Sequence, residues 1–393
     1  MKIIIHRGTH QIGGIATEIQ SGNSRIVIDM GDELSLDPDF VSAPLNISGV
    51  TDYSGSCNAV LFTHYHGDHM GQMTRIREDI SLYAGALAKD VMLKTAENKR
   101  IVDKELCRRI GAMHTFVGGD VIAFGDIRIT AYSVDHSACD SYMFLIEAEG
   151  KRVLYTGDFR THGFRGKVVA KILHLIGRVD VLITEGTTVS RPDVKPMTEY
   201  ELQQKVKEYT AQYKYVYVLC SSTNLERICA LSKAVPDGKY FICDELQHEL
   251  LKIVEKHWSG YSSLYRNIKR TYYGENILQN ARDCGFVMAI RDNRKFRSII
   301  KKFNPDDGII LYSMWDGYRT RQGSKIPELL NLAGRWETLH TSGHATHDDI
   351  KLVAKILSPD IIVPMHTDAP DSFTSLFPDG NVVVVHDGEE ICL

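Results

Sequence analysis

Apolar positions in the first half of the chain come in short runs. "KIIIH", "ATEIQ", "SRIVIDMG", "AVLFTH", "IRITAYSV", "SYMFLIEA", "RVLYTGD" and "VDVLITEG" are rich in β-branched and aromatic residues and are joined by glycine-bearing turns. That texture predicts strands and a β-rich core. Between about 86 and 110, "ALAKDVMLKTAENKRIVDKELCRRI" reads as one helix set between strands, as in a layered α/β sandwich. From about 198 the pattern alternates: "TEYELQQKVKEYTAQ" helical, "YVYVLC" extended, "NLERICALSKAV" helical, "YFICD" extended, "ELQHELLKIVEKHW" helical. Alternation of this kind predicts a parallel sheet. After about 338 the first texture returns, with "DDIKLVAKILS" as a helix and "DIIVPMH", "NVVVVHD" and "EEICL" as strands. The chain is therefore expected to be an α/β protein in which residues 191–337 interrupt a domain made of 1–190 and 338–393.

Composition narrows the class. With 393 residues and 43% hydrophobic content there is material for one large core or two moderate ones. Eight cysteines without a CxxC pair do not form a disulfide framework or a zinc ribbon, and free thiols in a reducing compartment are expected. The apolar run in "MKIIIHRGTH" is too short for a signal peptide, and no run of about 18 apolar residues is present to span a bilayer. A soluble, cytoplasmic protein with no membrane partner is the expectation. The net charge of −4 is unevenly spread: residues 191–337 hold 24 Lys+Arg against 18 Asp+Glu, a local +6 that leaves −10 elsewhere. Either that segment meets an anion or the excess is ordinary surface charge.

Chemistry concentrates in "THYHGDHMG", residues 63–71, where His64, His66, Asp68 and His69 crowd six positions directly after the strand "AVLFT". Gly67 and Gly71 allow a tight backbone there. Imidazole and carboxylate are donors that divalent zinc or manganese accepts, and the HxH pair can approach one ion while the DH pair approaches another.

HxHxDH after a strand resembles the metallo-β-lactamase superfamily, which implies a four-layer αββα sandwich with further ligands on later strand ends. His136 in "SVDHSACDS", Asp158 in "LYTGDFRTHG" and His366 in "IIVPMHT" match those positions. The resemblance implies two divalent ions, Zn2+ or Mn2+. One would take His64, His66, His136 and Asp158, the other Asp68, His69, Asp158 and His366. Asp29 in "IVIDMG" matches the aspartate that braces the ligand loop without binding metal. "GDFRTHG" and "TSGHATHDDIKLVAKILSPDIIVPMHT" further resemble the β-CASP nucleases, the ribonuclease J group above all, in which an α/β β-CASP domain is inserted into the core. There Glu185 matches motif A, His344 motif B and His366 motif C. Histidine at motif C is the pattern of members acting on RNA. Oligomerisation rests in that group on a C-terminal domain beyond the last core strand, and is not expected to carry over.

What the resemblance implies is phosphodiester hydrolysis of single-stranded RNA through a dinuclear metal-bound hydroxide. Two ions offset the phosphate's charge and lower the pKa of bridging water toward about 7. In this scheme Asp68 orients the water, and His344 is the general acid, held by Glu185. Ser342, Gly343, Ala345 and Thr346, at the start of the helix "THDDIKLVAKIL", are candidates to hold a substrate phosphate, or form a plain helix cap. "RDNRKFRSIIKKF" (291–303) combines six basic residues with two aromatics and "YRTRQGSK" follows at 318–325. These stretches suit single-stranded nucleic acid, or a solvated amphipathic helix. The rival function is a small-molecule metallohydrolase, acting on an ester, thioester or cyclic phosphodiester, with the insert as a lid.

Overall fold

The computed structural model describes residues 1–37, 39–99 and 101–393. It divides into two compact units. The first comprises Met1–Ser35, Phe40–Lys195 and Gly343–Leu393, and the second Pro196–Ser342 with Leu36–Asp39. Apart from the short segment Leu36–Asp39, the chain crosses between units at Lys195–Pro196 and Ser342–Gly343.

The first unit is an αββα sandwich. One sheet has seven strands in the order Glu390–Cys392, Lys2–Arg7, Ala16–Ser21, Ser24–Ile28, Ala59–Leu61, Ser81–Gly85, His114–Phe116. The other has six, in the order Ile361–Met365, Val181–Glu185, Lys151–Tyr155, Ser141–Ala148, Ile127–Val134, Val121–Phe124. Strand periodicity builds the core: in "KIIIHR" the alternate residues Ile3, Ile5 and Arg7 are buried and their neighbours half-buried. Ile3, Ile5, Ile19, Ile26 and Ile28 of the first sheet pack with Ile129, Phe144, Ile146, Val153 and Ile183 of the second. On the far side of the second sheet, helices Gly166–Ile176 and His347–Leu357 contribute Val169, Leu173, Ile350, Val353 and Leu357 to another cluster.

Two expectations are corrected here and one open choice is narrowed. The segment 86–110 is not one helix but two, Ala86–Glu97 and Lys104–Ala112, because Asp103 accepts a hydrogen bond from the Leu106 amide and starts a new helix. "NVVVVHD" makes no ladder, only a bridge between Val382 and Ile362. In "RDNRKFRSIIKKF" the helix is Arg294–Ile300, and Phe296, Ile299, Ile300 and Phe303 are all buried. The aromatics of that stretch are core residues and present no face to a base, while Arg294, Lys295, Lys301 and Lys302 are exposed, as on an amphipathic helix.

The second unit holds a six-stranded sheet, Thr271–Tyr272, Tyr240–Cys243, Phe286–Ile290, Tyr215–Leu219, Gly308–Tyr312, Trp336–Thr338, in which every pairing is parallel. Its central strands read "YVYVL", "FVMAI" and "GIILY" and are wholly buried, as parallel strands covered on both faces must be. Among the described residues there is no disulfide, and no helix is long and apolar enough to cross a membrane.

Candidate active site

The ligand loop leaves the buried strand Ala59–Leu61 and turns through the short helix Gly67–Met70. Backbone hydrogen bonds fix it: Ile15 N to Asp68 O at 3.1 Å, Met30 N to His69 O at 2.7 Å, Asp32 N to Gly67 O at 2.9 Å. Gly31 makes the close approach possible, since a Cβ there would stand 1.6 Å from the Asp68 carbonyl oxygen. The Arg7 guanidinium donates to the carbonyls of Gly14, Ala43 and Gly31 and ties the neighbouring segments together.

Every donor expected from the sequence arrives in one place. His64, His66 and His136 form one group; Asp68, His69, Asp158 and His366 form another, with the facing atoms of each group within 4.8 Å of one another. In the first group His66 Nδ1 lies 3.1 Å from His64 Nε2 and 3.2 Å from His136 Nε2. In the second, His366 Nε2 is 3.3 Å from Asp68 Oδ2 and His69 Nε2 is 3.3 Å from Asp158 Oδ2. Asp158 faces both groups, its Oδ2 being also 3.7 Å from His136 Nε2 and 3.9 Å from His64 Nε2. The bracing Asp29 and the donor His366 adopt left-handed backbone, at φ 63° and φ 51°. Strain of this kind persists where surrounding contacts over-determine it.

A ring of partners turns the imidazoles inward. His69 Nδ1 donates to Asp29 Oδ2 at 2.9 Å, His64 Nδ1 faces Thr63 Oγ1 at 3.1 Å, and His136 Nδ1 donates to the Gly343 carbonyl at 2.6 Å. His366 Nδ1 meets Thr187 Oγ1 at 2.7 Å. Each bond leaves Nε2 toward the centre, the arrangement that metal-ligating histidines use. Asp29 does the bracing expected of it, accepting also from the Thr63 amide at 2.8 Å and from Tyr155 Oη at 3.3 Å. The sequence reading missed Thr63, Thr187 and Tyr155, and also the wholly buried pair Arg160–Asp135, Nε to Oδ1 at 2.7 Å, which joins the two segments carrying Asp158 and His136.

These residues fit divalent cations. Neither carboxylate oxygen of Asp158, nor His69 Nε2, has a hydrogen-bond partner among the described residues, although all are buried; bare buried groups of this kind are costly without a compensating charge. The His66 nitrogen stands 3.1 and 3.2 Å from those of His64 and His136, close to the separation of about 3.3 Å between tetrahedral ligands at about 2.05 Å from an ion. Protonation directions agree. Burial holds His64 and His136 well below the usual imidazole range, and His66 at about 4, so these three are neutral donors at pH 7. Burial also acts to lower His69, but Asp158 and Asp29 outweigh it and draw a proton onto that ring. The carboxylate side of the centre thus recruits positive charge, which a cation supplies in the proton's place.

His344 stands beside this cluster. Its Nδ1 is 3.0 Å from Glu185 Oε2 and 3.5 Å from Asp158 Oδ2, and its side chain is 23% exposed. Glu185, at the end of strand Val181–Glu185, is pinned at its other oxygen by the Phe159 amide at 2.8 Å and the Ala345 amide at 3.3 Å. Burial pulls the His344 imidazolium down, but Glu185 and Asp158 outweigh it and the pKa is pushed up to about 9. Of the phosphate candidates, Ser342 belongs to the second unit and the Gly343 carbonyl is taken by His136. Thr346 caps helix His347–Leu357 in a capping box with Asp349. The amides of Ala345 and Thr346 already serve Glu185 and Asp349, so a phosphate would have to displace a carboxylate from either.

Buried His and Asp donors on strand ends of an αββα sandwich define the class: a metal-binding hydrolytic enzyme. Residues 25–211 match the family model of the β-lactamase superfamily domain. Over 93% of its length the chain is 21% identical to ribonuclease J of Mycoplasma genitalium, spanning 67% of that protein, and 23% identical to a probable ribonuclease of Methanocaldococcus jannaschii, spanning 93% of it. A solved structure of an Enterococcus faecalis protein of unknown function superimposes with a TM-score of 0.81 at 18% identity, covering 100% of this chain and 99% of that one, a likeness of fold. The chain is thus similar to the β-lactamase superfamily domain over residues 25–211 and to ribonuclease J proteins over most of its length.

Proposed function

We propose that the chain is a metal-dependent ribonuclease that hydrolyses phosphodiester bonds of RNA with two divalent ions, Zn2+ or Mn2+, held by His64, His66, Asp68, His69, His136, Asp158 and His366. The unit Pro196–Ser342 takes the part of the β-CASP domain in this reading. When bound, the ions supply an acidified water and offset the negative charge of the phosphodiester. The chain's own residues do the rest. Asp68, the donor carboxylate with solvent access at 12% side-chain exposure, orients the attacking water. His344 is the acid. With Nδ1 held by Glu185, its Nε2–H is the proton available to the leaving 3′ oxygen as the P–O bond breaks. Glu185, fixed by two backbone amides, sets the ring's orientation and keeps it protonated at neutral pH.

The observation that carries this reading is the His344–Glu185 pair set against Asp158: an acid with a raised pKa beside a metal-donor cluster. His344 also falls within a possible donor group with Asp158, Glu185 and His366, which makes the test specific. His344→Ala is expected to lose about two orders of magnitude in RNA cleavage rate while metal content stays that of the parent. A variant that loses metal as well overturns the acid role. Chelator treatment is expected to abolish RNA shortening; cleavage confined to bis(p-nitrophenyl) phosphate, with RNA untouched, overturns the ribonuclease reading itself.

A further inference from the structure

We infer that Trp315, Tyr318 and Trp336, with Arg319, form a base-stacking platform for single-stranded RNA on the second unit; the inference rests on the ribonuclease reading above. The three rings are 42%, 38% and 37% exposed. Their convergence follows from the sheet. Trp315 lies just beyond strand Gly308–Tyr312 and leads into the turn of helix Asp316–Thr320, which carries Tyr318 and Arg319. Trp336 opens the edge strand that pairs in parallel with the same Gly308–Tyr312 strand, Ile310 opposite Trp336.

The rings are held, not loose. Trp315 and Tyr318 meet edge to face, with centroids 5.5 Å apart at 85°. The indole of Trp315 lies directly on the helix turn at Gly317, where a Cβ would stand 2.4 Å from the ring, so only glycine admits this pose. The Arg319 guanidinium sits 5.4 Å from the centre of the Trp336 ring and is oriented by Asp316, with Nε to Oδ1 at 2.8 Å and Nη2 to Oδ2 at 3.0 Å. Rigid aromatic faces lose little entropy on binding, and a guanidinium over an indole extends the stacking surface.

A protein partner also takes Trp, Tyr and Arg, so the choice between partners turns on what surrounds them. Between Pro196 and Ser342 the exposed large hydrophobics are all aromatic, Tyr200, Tyr261, Tyr272 and these three. In the first unit they are mainly aliphatic, among them Val41, Ile101, Val168 and Leu175. Aliphatic side chains suit protein surfaces, whereas every base offers a π-face to an aromatic one. Local charge suits a polyanion: from Trp315 to Trp336 the chain carries four Lys and Arg against two Asp and Glu.

The variants remove both exposed tryptophans and leave only buried Trp258, so binding is read from the fluorescence anisotropy of a 5′-fluorescein label on the probe. The probes are a 15-nucleotide 2′-O-methyl phosphorothioate oligoadenylate, which resists cleavage, and an abasic chain of equal length, both titrated into the metal-loaded protein. Trp315→Ala/Trp336→Ala is expected to bind the oligoadenylate at least about tenfold more weakly and the abasic chain as the parent does. Hydrolysis of bis(p-nitrophenyl) phosphate should be unchanged, and Trp315→Phe/Trp336→Phe should restore most of the affinity. Equal oligoadenylate binding by parent and Ala variant, or equal loss on both probes, overturns the platform. So does a change of oligomeric state in sedimentation, which would make the face a contact between copies of the chain. RNA cleavage by the parent alongside undiminished binding by the variant sinks the platform alone; a parent that does not cleave RNA sinks the ribonuclease reading as well.

Discussion

Gly31→Ala adds a single methyl group behind the candidate metal centre. The backbone at Gly31 is outside the left-handed region, so alanine is conformationally acceptable there and the effect is steric. The new Cβ would stand 1.6 Å from the Asp68 carbonyl oxygen, 2.1 Å from its carbon and 2.8 Å from the His69 nitrogen. Ordinary contact begins at 3.4 Å, so the backbone carrying Asp68 and His69 has to retreat by about 1.8 Å. Metal sites tolerate displacement of only about 0.5 Å. The retreat also opposes the hydrogen bonds that fix the loop, from Ile15, Met30 and Asp32, at about 1 kcal/mol each. About 3 kcal/mol of stability is at stake, which for a unit of this size corresponds to a fall of about 6–12 °C in Tm. The assays are elemental analysis of the purified variant and a thermal melt of the metal-stripped protein, which separates loop strain from metal loss. The variant should hold at least one ion fewer per chain. If it keeps the parent's metal and melts within about 2 °C of it, the account of how the loop is positioned is wrong.

Thr187→Val removes the hydroxyl that meets His366 Nδ1 and should weaken metal binding by about 10–100-fold, read by competition with a chromogenic chelator; unaltered affinity would show that Thr187 does not orient the ligand. Arg160→Met strips the guanidinium from buried Asp135 and is expected to cost about 3 kcal/mol in a urea titration, with Asp135→Asn recovering part of the loss in the double variant. A third test uses pH. Burial would raise the Glu18 carboxyl, but hydrogen bonds from His6 and Arg25 outweigh it and hold it at about 2. A depressed carboxylate contributes its stability above the unfolded pKa of about 4.5 and loses it as the pH falls toward 2. Discounted for solvent screening, the contribution is about 2 kcal/mol, and Glu18→Gln should flatten the decline of Tm between pH 4.5 and 2. A parallel decline in the variant would remove Glu18 from the acid response.

The metal-donor loop was legible because His64, His66, Asp68 and His69 are local in sequence; crowding that much donor chemistry into six positions needs no knowledge of the fold. His136, Asp158 and His366 are different. Each is a lone residue after a strand, and only the resemblance singled them out. The partners that orient the ligands were illegible for a physical reason: a hydroxyl or a backbone carbonyl has no distinctive pattern, and the carbonyl that turns His136 belongs to Gly343, 207 residues away. Amphipathic composition left two readings of 291–303 open. The helical period turned Phe296 and Ile299 into the core and left Arg294 and Lys295 exposed, which the composition of the stretch did not separate. Trp315 and Trp336 carry no such signature, being isolated aromatics in unrelated stretches. Parallel pairing sets Trp336 opposite Ile310, Arg319 lies over its ring from the helix that carries Tyr318, and Gly317 sets the pose of Trp315. Surface chemistry assembled across a sheet is therefore where sequence reading fails first: composition ranks a stretch by its own residues, while a stacking platform is defined by rings that the register brings together and that the core leaves uncovered.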